Sequence, residues 1–137
     1  METSKWHTAT IVSAVLFSAF SAVHLIDDFL SGVPAEFNLT IPSTLLLSFA
    51  YMLALLGLIV AASCRSPTSY LGLAIAGLLI FLAQMLKSVP EMIKPGSWHL
   101  GLPSEIAAIG LGLSAGMTAV FSYLSWRVTR HTDRRMY

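Results

Sequence analysis

The sequence predicts an all-α integral membrane protein, folded as a bundle of four transmembrane helices. Hydrophobic residues fill 55% of the 137 positions and charged residues only 11%, whereas an ordinary globular protein is roughly 25% charged. The mean hydropathy is +0.74. A chain this small has too few polar residues to cover itself in water, so we expect lipid to serve as part of its solvent.

Four separate apolar runs each approach the length of a membrane crossing, which takes around 20 residues for roughly 30 Å of hydrocarbon. They cover residues 8–29, 43–63, 69–86 and 104–126. The last three begin beside a proline, at Pro42, Pro67 and Pro103, which is followed by hydroxyl residues that can cap a helix start. The chain is therefore a single membrane domain with a basic tail over residues 127–137.

The basic residues in the connections predict the orientation, because short cytoplasmic connections carry the excess of Lys and Arg. Only Lys87 and Lys94 fall on one side of a four-span arrangement. The others fall on the opposite side: Lys5, Arg65, Arg127, Arg130, Arg134 and Arg135. We therefore expect both termini in the cytoplasm and the chain integral to the plasma membrane.

The two outer connections are similar at an offset of 61 residues, with 33–43 lying over 94–104. Four aligned positions carry the same residue: Pro34, Leu39, Pro42 and Ser43. The same offset superimposes the first half, residues 8–63, on the second, 69–126. Both halves begin in the cytoplasm, which predicts a 2+2 parallel internal repeat about an axis along the membrane normal. We expect the two short outer loops to be re-entrant or interfacial.

The most informative polar group is His24, Asp27 and Asp28, at the outer end of the first span. Positions i, i+3 and i+4 share a helix face, so the imidazole and both carboxylates can converge. Ionisable groups at membrane depth are costly and often functional. This set suits a divalent cation or proton exchange. The alternative is that the aspartates merely end the span at the headgroups and that His24 bonds a facing helix.

The third span offers a second polar face, formed by Gln84, Lys87 and Glu91. Lys87 can pair with Glu91 at i, i+4 or reach the aspartates of the first span. His99, in the second outer loop, can close over the same place. The predicted ligand-binding set is therefore His24, Asp27, Asp28, Gln84, Lys87, Glu91 and His99.

Charge and cysteine content exclude several classes of function. The net charge is only +1 and the basic residues form no stripe outside the tail, so nothing points to nucleic acid. The one cysteine, Cys64, excludes an intrachain disulfide and a Cys-based metal cluster. We assign no cofactor, no metal ligand and no catalytic residue.

Three functions fit these residues. The first is a binding or transport-related bundle whose outward-facing polar pocket takes or passes a cation, a proton or a small amphiphile. The second is an accessory or structural subunit, docked to a larger membrane assembly or to copies of itself through small-residue stripes such as Gly112 and Gly116. The third is an intramembrane enzyme acting on a lipid-soluble substrate, with an aspartate or Glu91 as general acid or base. Membrane lipids are partners in all three.

Overall fold

The computed structural model of the chain describes residues 2–36, 38–92 and 102–133. These residues form five helices: α1 Glu2–Leu30, α2 Val33–Glu36, α3 Ile41–Ser63, α4 Pro67–Met92 and α5 Leu102–Asp133. Four of them, all except the short turn α2, are long and apolar enough to cross a membrane. Over the described residues, the prediction of an all-helical chain with four helices able to cross a membrane is therefore confirmed.

Among the helix ends that differ from the predicted ones, α3 begins earlier, after a capping threonine, and α4 ends later, beyond a proline. Thr40 caps α3, because its side-chain oxygen accepts a hydrogen bond from the backbone N–H of Ser43 at 3.4 Å. The predicted third span stops near residue 86, but α4 continues through Pro90 to Met92. The first outer connection contains the helical turn α2, and the second, residues 93–101, lies outside the described residues.

Going round the bundle, the helices follow the order α1, α5, α4 and α3, each packed against its neighbours in that sequence. The interfaces of α5 with α1 and with α4 are much larger than those made by α3. Gly77 permits a close approach of the α4 and α5 backbones, because a Cβ there would lie 2.6 Å from the backbone oxygen of Ala115. The core is thus a trio of α1, α4 and α5, with α3 laid against α1 and α4.

The small-residue pair of α5 is used inside the chain. A Cβ on Gly112 would meet Gln84 and Met85 at 3.8–3.9 Å, and one on Gly116 would meet Phe81 at 3.1 Å. All three neighbours belong to α4. Gly112 and Gly116 therefore serve the α4–α5 interface, the intramolecular use of such a motif.

Two ends of the bundle are named here by their histidines. At the His7 end, His7 Nδ1 of α1 lies 2.6 Å from the hydroxyl of Tyr70 in α4. At the His24 end, His24 of α1 contacts Gln84 of α4. These two pairs show that α1 and α4 run in the same direction, and they bring polar groups together across the middle of the ring.

Candidate functional site

The site is built around His24, in the last two turns of α1. Gln84 Nε2 lies 3.1 Å from His24 Nε2. An amide nitrogen only donates, so in this geometry the imidazole Nε2 accepts and the ring proton sits on Nδ1. His24 Nδ1 is buried and has no hydrogen-bond partner among the described residues. The ring thus keeps an unused donor inside the bundle.

Asp28 lies one turn after His24 and has two neighbours. One carboxylate oxygen is 3.7 Å from His24 Nε2, and the other is 3.6 Å from Lys87 Nζ of α4. At these distances neither contact is a close hydrogen bond; the Lys87 contact is an ion pair, whereas the imidazole only lies near the carboxylate. The side chain of Asp28 is 27% exposed and that of Lys87 is 46% exposed, so the pair lies at the mouth of the site, above the more deeply buried imidazole.

Asp27 takes a different partner from Asp28. The hydroxyl of Ser104 donates to both carboxylate oxygens of Asp27 at 2.8 Å. Ser104 is buried in the first turn of α5, where the helix dipole favours a negative charge. Consecutive helical residues point about 100° apart, so the two carboxylates serve different interfaces.

Between the helices at this end lies a cavity of about 290 Å³. Its lining residues are Ser21, His24, Leu25 and Asp28 of α1, Tyr51 of α3, Ile80, Ala83, Gln84 and Lys87 of α4, and Leu111 of α5. Every spanning helix therefore contributes to the wall. The wall is mostly apolar; its charged and amide groups lie where α1 and α4 face each other, and the hydroxyls of Ser21 and Tyr51 lie between α1 and α3. We call this cavity the pocket.

Six of the ten lining residues were not among the predicted site residues, and three of them, Ser21, Tyr51 and Leu111, shape the pocket on the α1, α3 and α5 sides. The hydroxyls of Ser21 and Tyr51 lie 3.0 Å apart and join α1 to α3 at the base of the pocket. Leu111 forms the wall on the α5 side. Ser21 lies three residues before His24 on the same face, a signal available in the sequence. Nothing comparable marks Tyr51 or Leu111.

The predicted site residues are therefore divided by the structure. His24, Asp28, Gln84 and Lys87 come together in the pocket, while Asp27 lies against Ser104. Glu91 lies in the last turn of α4, but its side chain and the whole of His99 fall outside the described residues.

Within the described parts of the chain, no group of three or more His, Cys, Asp or Glu side chains is placed to hold a metal ion. The fold and the pocket define the class: a protein that is helical over its described residues, with four helices that can cross a membrane and a mostly apolar pocket with a few polar groups between them. No family model matches the chain, and the searches found no similar curated protein and no similar solved structure.

Proposed function

We propose that this chain is a small membrane protein whose pocket binds the cationic head of a small amphiphile. The observation that carries this proposal is the contact between Asp28 and Lys87 at the pocket mouth. The ammonium group of Lys87 occupies the position beside Asp28 that the cationic head of a ligand would take. The carboxylate of Asp28 is the group that would receive that head.

The wall composition supports an amphiphile over a bare ion. Small-molecule sites are typically apolar cavities with a few convergent polar groups. Here Leu25, Ile80 and Leu111 supply apolar surface, and the polar groups lie to one side. A volume of about 290 Å³ is at the small end of the usual range of roughly 300–1,000 Å³, so the ligand's buried part is small.

A cationic ligand can displace the Lys87 ammonium group from Asp28 at little cost in free energy. An ion pair with this much solvent exposure contributes only about 0–1 kcal/mol, and the long Lys side chain can extend to the headgroup zone. Tyr51 adds an aromatic ring to the wall, and aromatic faces attract cations. The unused donor on His24 Nδ1 is available to a hydrogen-bonding group of the ligand or to a water molecule.

The orientation predicted from the basic residues belongs to this proposal. With both termini in the cytoplasm of a cell, the His24 end faces outward and the pocket mouth opens to the outer side of the plasma membrane. The acidic Asp28 at that mouth then meets ligands arriving from outside.

The 2+2 repeat is also part of the proposal, in a changed register. In the ring, α1 lies diagonal to α4 and α3 diagonal to α5, as a two-fold axis would place them.

An offset of 60 residues puts buried positions of α1 on buried positions of α4: Thr10 on Tyr70, Ser13 on Leu73, Ala14 on Ala74 and Phe17 on Gly77. The loop-derived offset of 61 would put three of them on exposed residues, Leu71, Ile75 and Leu78. At 60, His24 and Gln84 are counterparts, which supports placing the axis through the pocket.

The test compares two amphiphiles of equal chain length and opposite charge, decyltrimethylammonium and decyl sulfate. Native mass spectrometry of the protein released from detergent reads bound probe and subunit stoichiometry together. We expect the cation to bind and the anion not to. Asp28→Asn should reduce cation binding at least about ten-fold, the equivalent of 1.4 kcal/mol.

Asp27→Asn is the matched control, since it makes the same chemical change one residue away on the Ser104 side. It should leave cation binding unchanged. Lys87→Gln removes the internal competitor and should strengthen cation binding. Equal binding of the two probes, or equal effects of Asp27→Asn and Asp28→Asn, would refute the proposal.

A further inference from the structure

Below the pocket, the interior of the bundle is lined with hydroxyl groups. Besides Ser104, which bonds Asp27, eight Ser and Thr residues of α1 and α5 are at most 8% exposed: Thr10, Ser13, Ser18, Ser21, Ser114, Thr118, Ser122 and Ser125. Burying a hydroxyl at membrane depth is costly unless it finds a hydrogen-bond partner. A concentration of such groups in the core therefore calls for an account beyond close packing.

The hydroxyls of α5 form one continuous stripe. Ser114, Thr118, Ser122 and Ser125 recur at spacings of four and three residues, so they share a face. The hydroxyls of this face end at Ser114, one turn before the apolar Leu111 in the pocket wall, and Ser21 of α1 carries a hydroxyl into the wall itself. At the other end, the hydroxyls of Ser125 and Thr10 lie 2.9 Å apart. The stripe thus runs from the His7 end of the bundle to the pocket, and with Thr10, Ser13 and Ser21 of α1 we call it the hydroxyl seam.

The levels of the seam follow from the antiparallel packing of α1 and α5. Thr10 is level with Ser125, and each further helical turn advances about 5.4 Å along both helices. Ser122, Thr118 and Ser114 therefore follow at intervals of roughly 4.5–6 Å. One water molecule with hydrogen bonds of about 2.8 Å on either side spans such an interval.

Two hydroxyls in the middle of the seam lack a partner. Thr118 Oγ1 and Ser122 Oγ are buried and make no hydrogen bond with the described residues. Other seam hydroxyls are satisfied, for example Ser13 and Ser114, which donate to carbonyl oxygens of their own helices. A stripe needed only for close packing would be served by alanine, without the cost of an unmet hydroxyl. Thr118 and Ser122 are instead placed to bond transient water.

Both ends of the seam are marked by an imidazole. His7 lies beside the hydroxyl of Tyr70 at one end, and His24 lies beside Gln84 and Asp28 at the other. The two histidines are separated by about 25 Å along α1, most of the thickness of a hydrocarbon core. An imidazole carries both a donor and an acceptor nitrogen, as the terminal group of a proton path must.

We infer that the hydroxyl seam, with water molecules between its levels, conducts protons between the His7 end of the bundle and the pocket. In each step a hydroxyl or water oxygen accepts a proton from one neighbour and releases its own proton to the next. One O–H bond forms as another breaks, so no net charge stays in the seam after the proton has passed. The imidazole at either end takes up or delivers the proton. This activity goes beyond the proposed ligand binding and does not require a ligand.

The test is proton flux into proteoliposomes that hold a trapped pH-sensitive dye, driven by a potassium gradient with valinomycin. We expect flux above that of protein-free vesicles. The double variant Thr118→Val/Ser122→Ala removes both unpartnered hydroxyls and leaves an interval of more than 10 Å on α5. Because a proton in such an unsolvated gap is costly, flux should fall at least about ten-fold.

The control is Thr44→Val/Ser63→Ala, which removes two hydroxyls of α3 that bond only carbonyl oxygens nearby in the chain. Its flux should equal that of the unchanged protein. Flux no greater than in empty vesicles, or unchanged flux in Thr118→Val/Ser122→Ala, overturns the inference. Proton flux without decyltrimethylammonium binding would instead reject only the proposed function, and binding without flux would reject only the proton path.

Discussion

Helices α3 and α5 both qualify as membrane spans, yet they are used in opposite ways. In the most apolar 18-residue stretch of α3 the mean hydropathy is 2.5 and 17% of the residues are buried. In the corresponding stretch of α5 the mean hydropathy is 1.5 and 44% of the residues are buried. The more hydrophobic helix is therefore the less buried one. In water the order would be reversed, because burial would then follow hydrophobicity.

The side chains explain the reversal. The lipid-facing positions of α3 are large and aliphatic or aromatic, such as Leu46 at 70% and Phe49 at 67% exposure. The buried face of α5 carries small and hydroxyl residues, among them Ala115 and Thr118. Lipid solvates Leu and Phe as well as a protein core does, so helix association depends on close backbone approach and on polar contacts. These are supplied by α5.

The largest expected effect compares two glycines, one in the close α4–α5 interface and one on α3 with open space around it. Gly77→Ala places a Cβ 2.6 Å from a backbone oxygen of α5, so the helices must separate. We expect the free energy of unfolding to fall by about 2–3 kcal/mol. Gly57→Ala in α3, where a Cβ would meet nothing within 4 Å, should instead gain about 0.4–1 kcal/mol. Unfolding in mixed micelles of increasing SDS content measures both, and equal losses would contradict the comparison.

A smaller effect separates the two faces of α3 itself. Leu55 is 2% exposed, whereas Leu46 is 70% exposed on the outside of the bundle. Leu55→Ala leaves a cavity against the core, but the removed side-chain atoms do not lose a transfer from water into the core, because the surroundings of the bundle are lipid. We therefore expect the free energy of unfolding to fall by about 1–2 kcal/mol, less than in a soluble protein. Leu46→Ala should change the free energy of unfolding by about zero. A larger loss for Leu46→Ala in the same SDS titration would indicate a protein partner on that face.

The smallest effect contrasts two buried hydroxyls. Thr10→Val removes the hydrogen bond to Ser125 and should lower the free energy of unfolding by about 0.6 kcal/mol, the average for such bonds in membranes. Thr118→Val removes a hydroxyl with no partner among the described residues and should be neutral or slightly stabilising. Thermal unfolding of the two variants side by side distinguishes them. A destabilised Thr118→Val would mean that this hydroxyl is bonded in the folded protein.

The four spans could be predicted because an apolar run is a local property of the sequence. His24, Asp28, Gln84 and Lys87 could be singled out for a similar reason, since ionisable and amide side chains are rare inside a span. Their spacing on each helix is also local. These residues come together because α1 and α4 lie opposite each other in the ring, and the sequence of a single helix does not specify that arrangement.

The rest of the site depends on which faces meet. Tyr51 and Leu111 are ordinary residues of membrane helices, and only the arrangement of α3 and α5 brings them to the pocket. Asp27 shares a face with His24 by spacing, but Ser104 competes for it from α5. The hydroxyl seam was missed for another reason: single Ser and Thr residues carry little hydropathy signal, and their significance appears only when two helices are aligned.

The bond between Thr10 and Ser125 joins the first and last spanning helices, 115 positions apart in the chain. During synthesis at about 5–20 residues per second, α1 must wait on the order of ten seconds before its main partner exists. For that interval its hydroxyl face meets lipid, the translocation machinery or α3. Assembly of α1 with its main partner therefore cannot begin before α5 has been synthesised, and a variant that lacks α5 should be inserted but unassembled and exposed to quality-control proteolysis.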